Sequence, residues 1–538
     1  MWKRRRSLHL EESEVNIKNT KLKSNDIQRL KSVIIEKIEA QNEVYGWIAL
    51  IAAFLAIQAV VSTGNYSGYS NAPKFGDFEA QRHWMEITIH LPISQWYVNS
   101  TENDLSYWGI DYPPLTAYHS YIFGKISNAL NPSWVELHKS RGHQTTNHLA
   151  FMRTTVIVTM LFLYAPALIL TLRGFLPKNM NFYDKFVIGF AALFYPGLIY
   201  IDNGHFQYNH IALGLFIWTI YCFQKRKVLW GSFFFVLALN FKQMELYHSL
   251  PIFVYLLSLS CSSSPSITTK ITKTICNISK LGIVVIFTFI LLWLPFFQNI
   301  ELFTQVLRRI FPFERGIFED KVANFWCSLN VIYKLKTHLS TETLIQISLL
   351  FVLCSALPSL FILFKKPNDK NFRLSLTITS LSFFMFSYHV HEKTILQCAI
   401  PALFLLPDYY EVVTMLLDAS SISMFGLCIK DEIPEILFMF LVYHIVTRIL
   451  CSHRTPKLQL LKSVQIAISL AVCGLQLFGV PPKRYPYLFE LLNAVFSFGI
   501  FALFWLYLNY IIISGFISQL QNAQQQQQQT SQKKKKVQ

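Results

Sequence analysis

Apolar stretches of about 20 residues recur along this chain, separated by short joints that are polar and mostly basic. They begin near Gly46, Thr154, Phe186, Asn209, Val228, Leu246 and Leu281, then near Leu344, Leu374, Thr394, Tyr410, Pro434, Ser463 and Tyr487. Stretches of that length cross a bilayer as helices, so the pattern predicts an all-α polytopic membrane protein with about 14 spans. The stretch from Tyr112 to Leu130 is amphipathic and carries His119 and Lys125, which reads as a helix lying in the membrane interface. The first 40 residues are polar, so the run at Gly46 reads as a retained anchor and not as a cleaved signal.

The basic residues give an orientation. Ten Lys/Arg fall before Gly46, whereas the long loop from Thr63 to Asp111 holds only Lys74 and Arg82. The positive-inside rule places the N-terminus in the cytosol and that loop on the far side. Alternation then returns Lys225–Lys227, Lys365-Lys366 and the joint from Arg448 to Lys462 to the cytosol, with the C-terminus. The expected organisation is a cytosolic segment 1–45, a membrane region 46–407 with its first far-side loop 63–153, C-terminal spans 408–515, and a disordered cytosolic Gln/Lys tail 516–538. Two glycosylation sequons, at Asn65 and Asn99, fall in the far-side loop; a third, at Asn277, falls on the cytosolic side and is expected to stay unused. The chain ends Lys535-Lys536-Val537-Gln538, the spacing of a dilysine retrieval signal and equally of a plain basic tail.

Composition narrows the class. Hydrophobic residues make up 52% and charged residues 15%, against about 25% charge in soluble domains, which excludes a single water-soluble core. The net charge of +17 resides in the joints and ends and gives no sign of a nucleic-acid partner. The nine cysteines form no CxxC pair, and most lie inside apolar runs as small hydrophobes.

With this topology six polar clusters collect on the far side: 76–84, 111–114, 205–209, 241–245, 314–321 and 389–393. Ionisable groups at the rim of apolar spans are costly unless they pair or work. No P-loop, GxGxxG or GxSxG motif is present, and His389 and His391 stand two apart, a poor grip for a metal. What remains are carboxylates able to act as a base and cations able to hold an anion. Those are the parts for moving a group from a phosphate to a hydroxyl.

The motifs GDFEAQRHWMEIT (76–88), YWGIDYPPLTAYHS (107–120), GHFQYN (204–209), FPFERGIFEDKVANFWC (311–327) and FSYHVHEK (386–393) carry a specific resemblance. From Gly46 to Pro407 the chain resembles the dolichyl-phosphate-glucose-dependent glucosyltransferases of the endoplasmic reticulum. Within that family the first two motifs are similar to the branch that adds the first glucose, and the branch that adds the second has a different loop there. The resemblance implies a GT-C fold with far-side interfacial helices over a lumenal active site. It further implies an endoplasmic reticulum membrane location, dolichyl phosphate glucose as donor and a lipid-linked nine-mannose oligosaccharide as acceptor. An α-1,3 product from a β-linked donor requires inversion, and hence a single general base. Asp77 occupies the family's base position. Arg315, Glu319, Asp320, Lys321, His391 and Lys393 lie in motifs resembling the donor side, where cations would meet the leaving phosphate. Glu79, Arg82, Asp111, His205 and Gln207 are further candidates for the substrate site. No metal or other cofactor is expected, since a monophosphate leaving group needs little charge compensation.

Each residue also has a reading without chemistry. Asp77 could cap a helix starting at Phe78, Glu319 and Asp320 could pair with Arg315 and Lys321, and His205 could satisfy backbone at a helix break. Asp111 could start a turn, and His391 and Lys393 could anchor a span at the interface. The rivals in function are the second-glucose branch and a secondary transporter. The chain shows no internal repeat of the kind transporters carry.

Overall fold

A computed structural model describes residues 41–261, 267–311, 321–451 and 455–537. Helices make up its regular structure, and no strand occurs among the described residues. The longer helices are α1 (Gln41–Val61), α2 (Gly76–His90), α3 (Pro114–Leu130), α4 (Thr146–Phe175), α5 (Phe182–Phe206) and α6 (Asn209–Gln224). Then follow α7 (Val228–Phe241), α8 (Ser249–Ser260), α9 (Ile267–Trp293), α10 (Ile300–Ile310), α11 (Thr341–Lys365) and α12 (Asp369–Phe386). The last five are α13 (Leu396–Leu403), α14 (Leu406–Lys430), α15 (Ile436–Leu450), α16 (Pro456–Phe478) and α17 (Leu488–Val537).

Each apolar run of the sequence falls on one of these helices. Among the described residues, however, eight are long and apolar enough to cross a membrane, with α7 and α15 as shorter apolar helices. The expected number of about 14 is the number of apolar runs, several of which form helices that are cut short. The run from Leu246 yields only the 12 residues of α8, and the run from Thr394 yields the eight of α13. The 516–537 stretch continues α17 as helix, where a disordered tail was expected. Gln and Lys are good helix formers, and extending an existing helix avoids the cost of nucleation.

Burial separates central from peripheral helices. In α5, 89% of the most apolar window is buried inside the protein, and in α14 72%, against 11% for the segment Ile271–Phe296. α5 and α14 thus form the axis around which the rest packs. α9 turns Ile283, Ile286, Phe287 and Leu291 outward, as a lipid-facing helix must.

Between α1 and α4 the chain folds back as α2 and α3, which pack against each other. α3 begins at Pro114, whose fixed φ and missing N–H suit the first helical position. The amphipathic stretch that the sequence pattern sets apart from the spans is thus a helix of its own. α2 carries Glu79, Arg82 and Glu86 on one face, all buried. Arg82 donates to Glu79 at 2.6 and 2.7 Å, pairs with Glu86 at 2.7 Å and reaches Ser140, while the Tyr107 hydroxyl donates to Glu79 at 2.9 Å. The network clamps α2 to the rest of the loop.

Candidate active site

Asp77 lies in the first turn of α2, and its placement depends on two glycines. Gly68 (φ 76°) and Gly76 (φ 67°) bring two backbone strands so close that a Cβ on Gly68 would run into the Phe75 carbonyl, and one on Gly76 into that of Ser67. The Asp77 amide donates to the Ser67 hydroxyl at 3.3 Å, and the Ser67 amide donates to the His205 carbonyl at 3.1 Å. The start of α2 is thereby tied to the end of α5. The Asp77 carboxylate does not cap its helix. Its Oδ2 accepts from Lys393 Nζ at 2.6 Å and from Gln207 Nε2 at 2.5 Å, and lies 3.0 Å from His205 Nε2.

His205 and Gln207 come from the end of α5, where the chain winds as a π-helix over Tyr200–Phe206 before α6 starts at Asn209. Such turns are uncommon and recur at functional sites. Phe206 (φ 78°) breaks the helix here, and Asp202 caps α6 by accepting from the Asn209 and His210 amides at 3.1 and 2.7 Å. Lys393 stands on the short turn Glu392–Ile395 ahead of α13. His205 Nδ1 meets Asp431 Oδ2 at 2.6 Å, and the Tyr200 hydroxyl donates to the same oxygen at 2.7 Å.

Burial would by itself raise the Asp77 carboxyl. The Lys393 ammonium is the largest of the effects that oppose it, and the group is held well below the usual carboxylate range. The positive end of α2 acts in the same direction. Asp77 is 24% exposed, enough to be met from outside. Beside it, Lys242 donates to Asn209 Oδ1 at 2.5 Å and to Gln207 Oε1 at 3.4 Å, below the Tyr112 ring. Beyond Asp431 opens a cavity of about 370 Å³ lined by Tyr66, Tyr69, Asn71, Lys430 and Glu432.

The structure thus gathers Asp77, His205, Gln207 and Lys393 from the sequence candidates. Glu79 and Arg82 belong to the α2 clamp. Asp111 lies ahead of α3, its carbonyl accepting from Gln243 at 3.2 Å. His391 is half-exposed next to Lys393, its Nδ1 accepting from the Lys393 amide at 3.4 Å. Lys321 pairs with Glu490 at 3.4 Å over the Tyr487 ring, against the start of α17. Arg315, Glu319 and Asp320 lie outside the described residues. Asp431 escaped the sequence reading, and Lys242 was read only as a member of the polar cluster 241–245. Asp431 was legible only as part of the charged triplet Lys430-Asp431-Glu432 between two apolar runs.

A polytopic helical membrane protein with a carboxylate, two cations and a histidine gathered where its helices break has the makings of a membrane-embedded transferase. The sequence model described as "ALG6, ALG8 glycosyltransferase family" matches residues 50–507, and the chain belongs to this family. It is 44% identical over 463 residues to a Caenorhabditis elegans protein named probable dolichyl pyrophosphate Man9GlcNAc2 alpha-1,3-glucosyltransferase, covering 86% of this chain and 88% of that one. The Drosophila melanogaster protein of the same name is 42% identical over 470 residues (86% and 97%). One from Dictyostelium discoideum is 46% identical over 400 (74% and 76%).

Proposed function

We propose that this chain transfers glucose from dolichyl phosphate glucose to Man9GlcNAc2 on dolichyl pyrophosphate, forming an α-1,3 linkage with inversion. The reaction takes place on the lumenal side of the endoplasmic reticulum membrane, with both termini in the cytosol. The observation that carries the reading is the Asp77 carboxylate, ionised, partly exposed and gripped by Lys393, in a chain similar over most of its length to proteins bearing that name. Asp77 takes the proton of the acceptor hydroxyl as its oxygen attacks the anomeric carbon, and dolichyl phosphate leaves from the opposite face. As Asp77 is neutralised, the Lys393 ammonium loses its anionic partner and turns to the charge growing on the departing phosphate. Lys242 adds a second cation close by, and no metal ion is required.

Glucose transfer by the purified chain in lipid nanodiscs tests this reading, with unglucosylated and singly glucosylated nine-mannose acceptors offered separately. The expected result is transfer to the unglucosylated acceptor, reduced by at least about 10²-fold in Asp77→Asn while the fold is kept. Transfer only to the singly glucosylated acceptor would assign the chain to the second-glucose branch. Full activity in Asp77→Asn would dismiss the base.

A further inference from the structure

The carboxylate of Asp431 has no place in the proposed reaction, yet it is 4% exposed and lies 2.6 Å from a ring nitrogen of the histidine that touches Asp77. We infer that Asp431 is a positioning residue: it fixes the His205 ring with Nε2 turned to Asp77, and the pair provides the exit for the proton that Asp77 removes from the acceptor hydroxyl. The inference rests on the proposed reaction and adds to it a step after the transfer.

A histidine's tautomer is set by the partner of its other nitrogen. Asp431 can only accept, so the proton of the neutral ring stays on Nδ1. Nε2 is left as an acceptor, and Lys393 supplies a donor to it at 3.0 Å while donating to Asp77 at 2.6 Å. Asp77 is a poor resting place for a proton, because an ammonium lies 2.6 Å from it. Nε2, 3.0 Å from the same oxygen, is the next base in line. The balance is simple: the acceptor O–H bond breaks as the carboxyl O–H forms, and the carboxyl O–H then breaks as Nε2–H forms. The resulting imidazolium lies between two carboxylates, Asp431 and the restored Asp77. The other titratable groups facing this ring are Lys393 and His391 from the turn before α13, Arg153 of α4, which holds the Gly204 carbonyl at 3.1 Å, and Lys242 beyond Gln207. The geometry is built from α2, α5, the turn at Lys393 and the end of α14, so no single local motif records it.

The test is the pH dependence of kcat for glucose transfer by the full chain in nanodiscs. The active form needs Nε2 unprotonated, so wild-type activity falls on the acid side as the ring takes a proton. Asp431→Asn removes the charge that favours the imidazolium. Its kcat is expected to fall at least about tenfold, with the acceptor KM nearly unchanged and the acid limb moved down by about one pH unit. Tyr200→Phe removes the second donor on Asp431 and leaves its charge more available, so its acid limb moves up. A loss in Asp431→Asn with the limb in its wild-type place would mean a merely structural role and would overturn the inference, as would unchanged kcat. If Asp431→Asn does not fold, Tyr200→Phe decides alone, and an unmoved limb counts against the inference. A wild-type chain without transfer would strike the proposed reaction itself, and the inference with it.

Discussion

A carboxylate 2.6 Å from an ammonium is a weak base until that ammonium moves, so Lys393 governs when Asp77 can act. Lys393→Met is expected to lower kcat by about 10²-fold, because in the proposed reaction the leaving phosphate loses a cation. It should also move the acid limb of the rate profile up, since the ammonium no longer holds Asp77 down; rate profiles of the two proteins check both. Lys393→Arg, which keeps the charge, should recover part of the loss. Four of the five residues at this centre were legible in the sequence because each sits in a short motif dense in polar side chains at the edge of an apolar run. Asp431 was not. Its partner His205 lies 226 positions away, and nothing near Asp431 distinguishes it from a loop charge. Glu79 and Arg82 read as site residues for the same reason that Asp77 did, and only three-dimensional contact shows that they satisfy one another.

At the level of elements, α2 is buried along most of its length, with Ala80, Trp84 and Ile87 in one apolar cluster and Phe78 and Met85 in another. Its ion pairs are buried beside these contacts, and buried pairs are unforgiving when one partner is lost. Burial would raise the Glu86 carboxyl, but His83 and Arg82 bring it down to about 2. A depressed carboxyl contributes stability that is complete above its ordinary value of 4.5 and is lost as pH falls from there towards 2. Limited proteolysis of the 63–145 loop between pH 6 and 2.5 should therefore show loosening across that window. Glu86→Gln should start less protected and vary less with pH. The helices themselves were legible from the spacing of apolar residues. Their lengths were not, since the π-helix at Tyr200–Phe206 and the short helices α8 and α13 arise from packing.

Across the whole molecule, the eight long apolar helices define a multi-pass protein, and the proposed orientation can be read from its sugars. Asn99 is exposed, whereas Asn65 is half-buried with its carbonyl held by Arg153 at 3.3 Å. An endoglycosidase-sensitive shift on gels is expected to vanish in Asn99→Gln and to persist in Asn65→Gln and Asn277→Gln. A shift abolished only by Asn277→Gln would invert the topology. The proposed reaction centre draws on positions 77, 205, 393 and 431, the first and third joined across 316 residues of chain. A ribosome delivers these one after another, and the fourth emerges only when four-fifths of the polypeptide has been made. Until then Asp77 and His205 are already in the membrane without the residues that complete them. A nascent chain, or one halted by a stop codon anywhere before Asp431, is on this account inert towards lipid-bound sugar, however well its earlier helices have inserted.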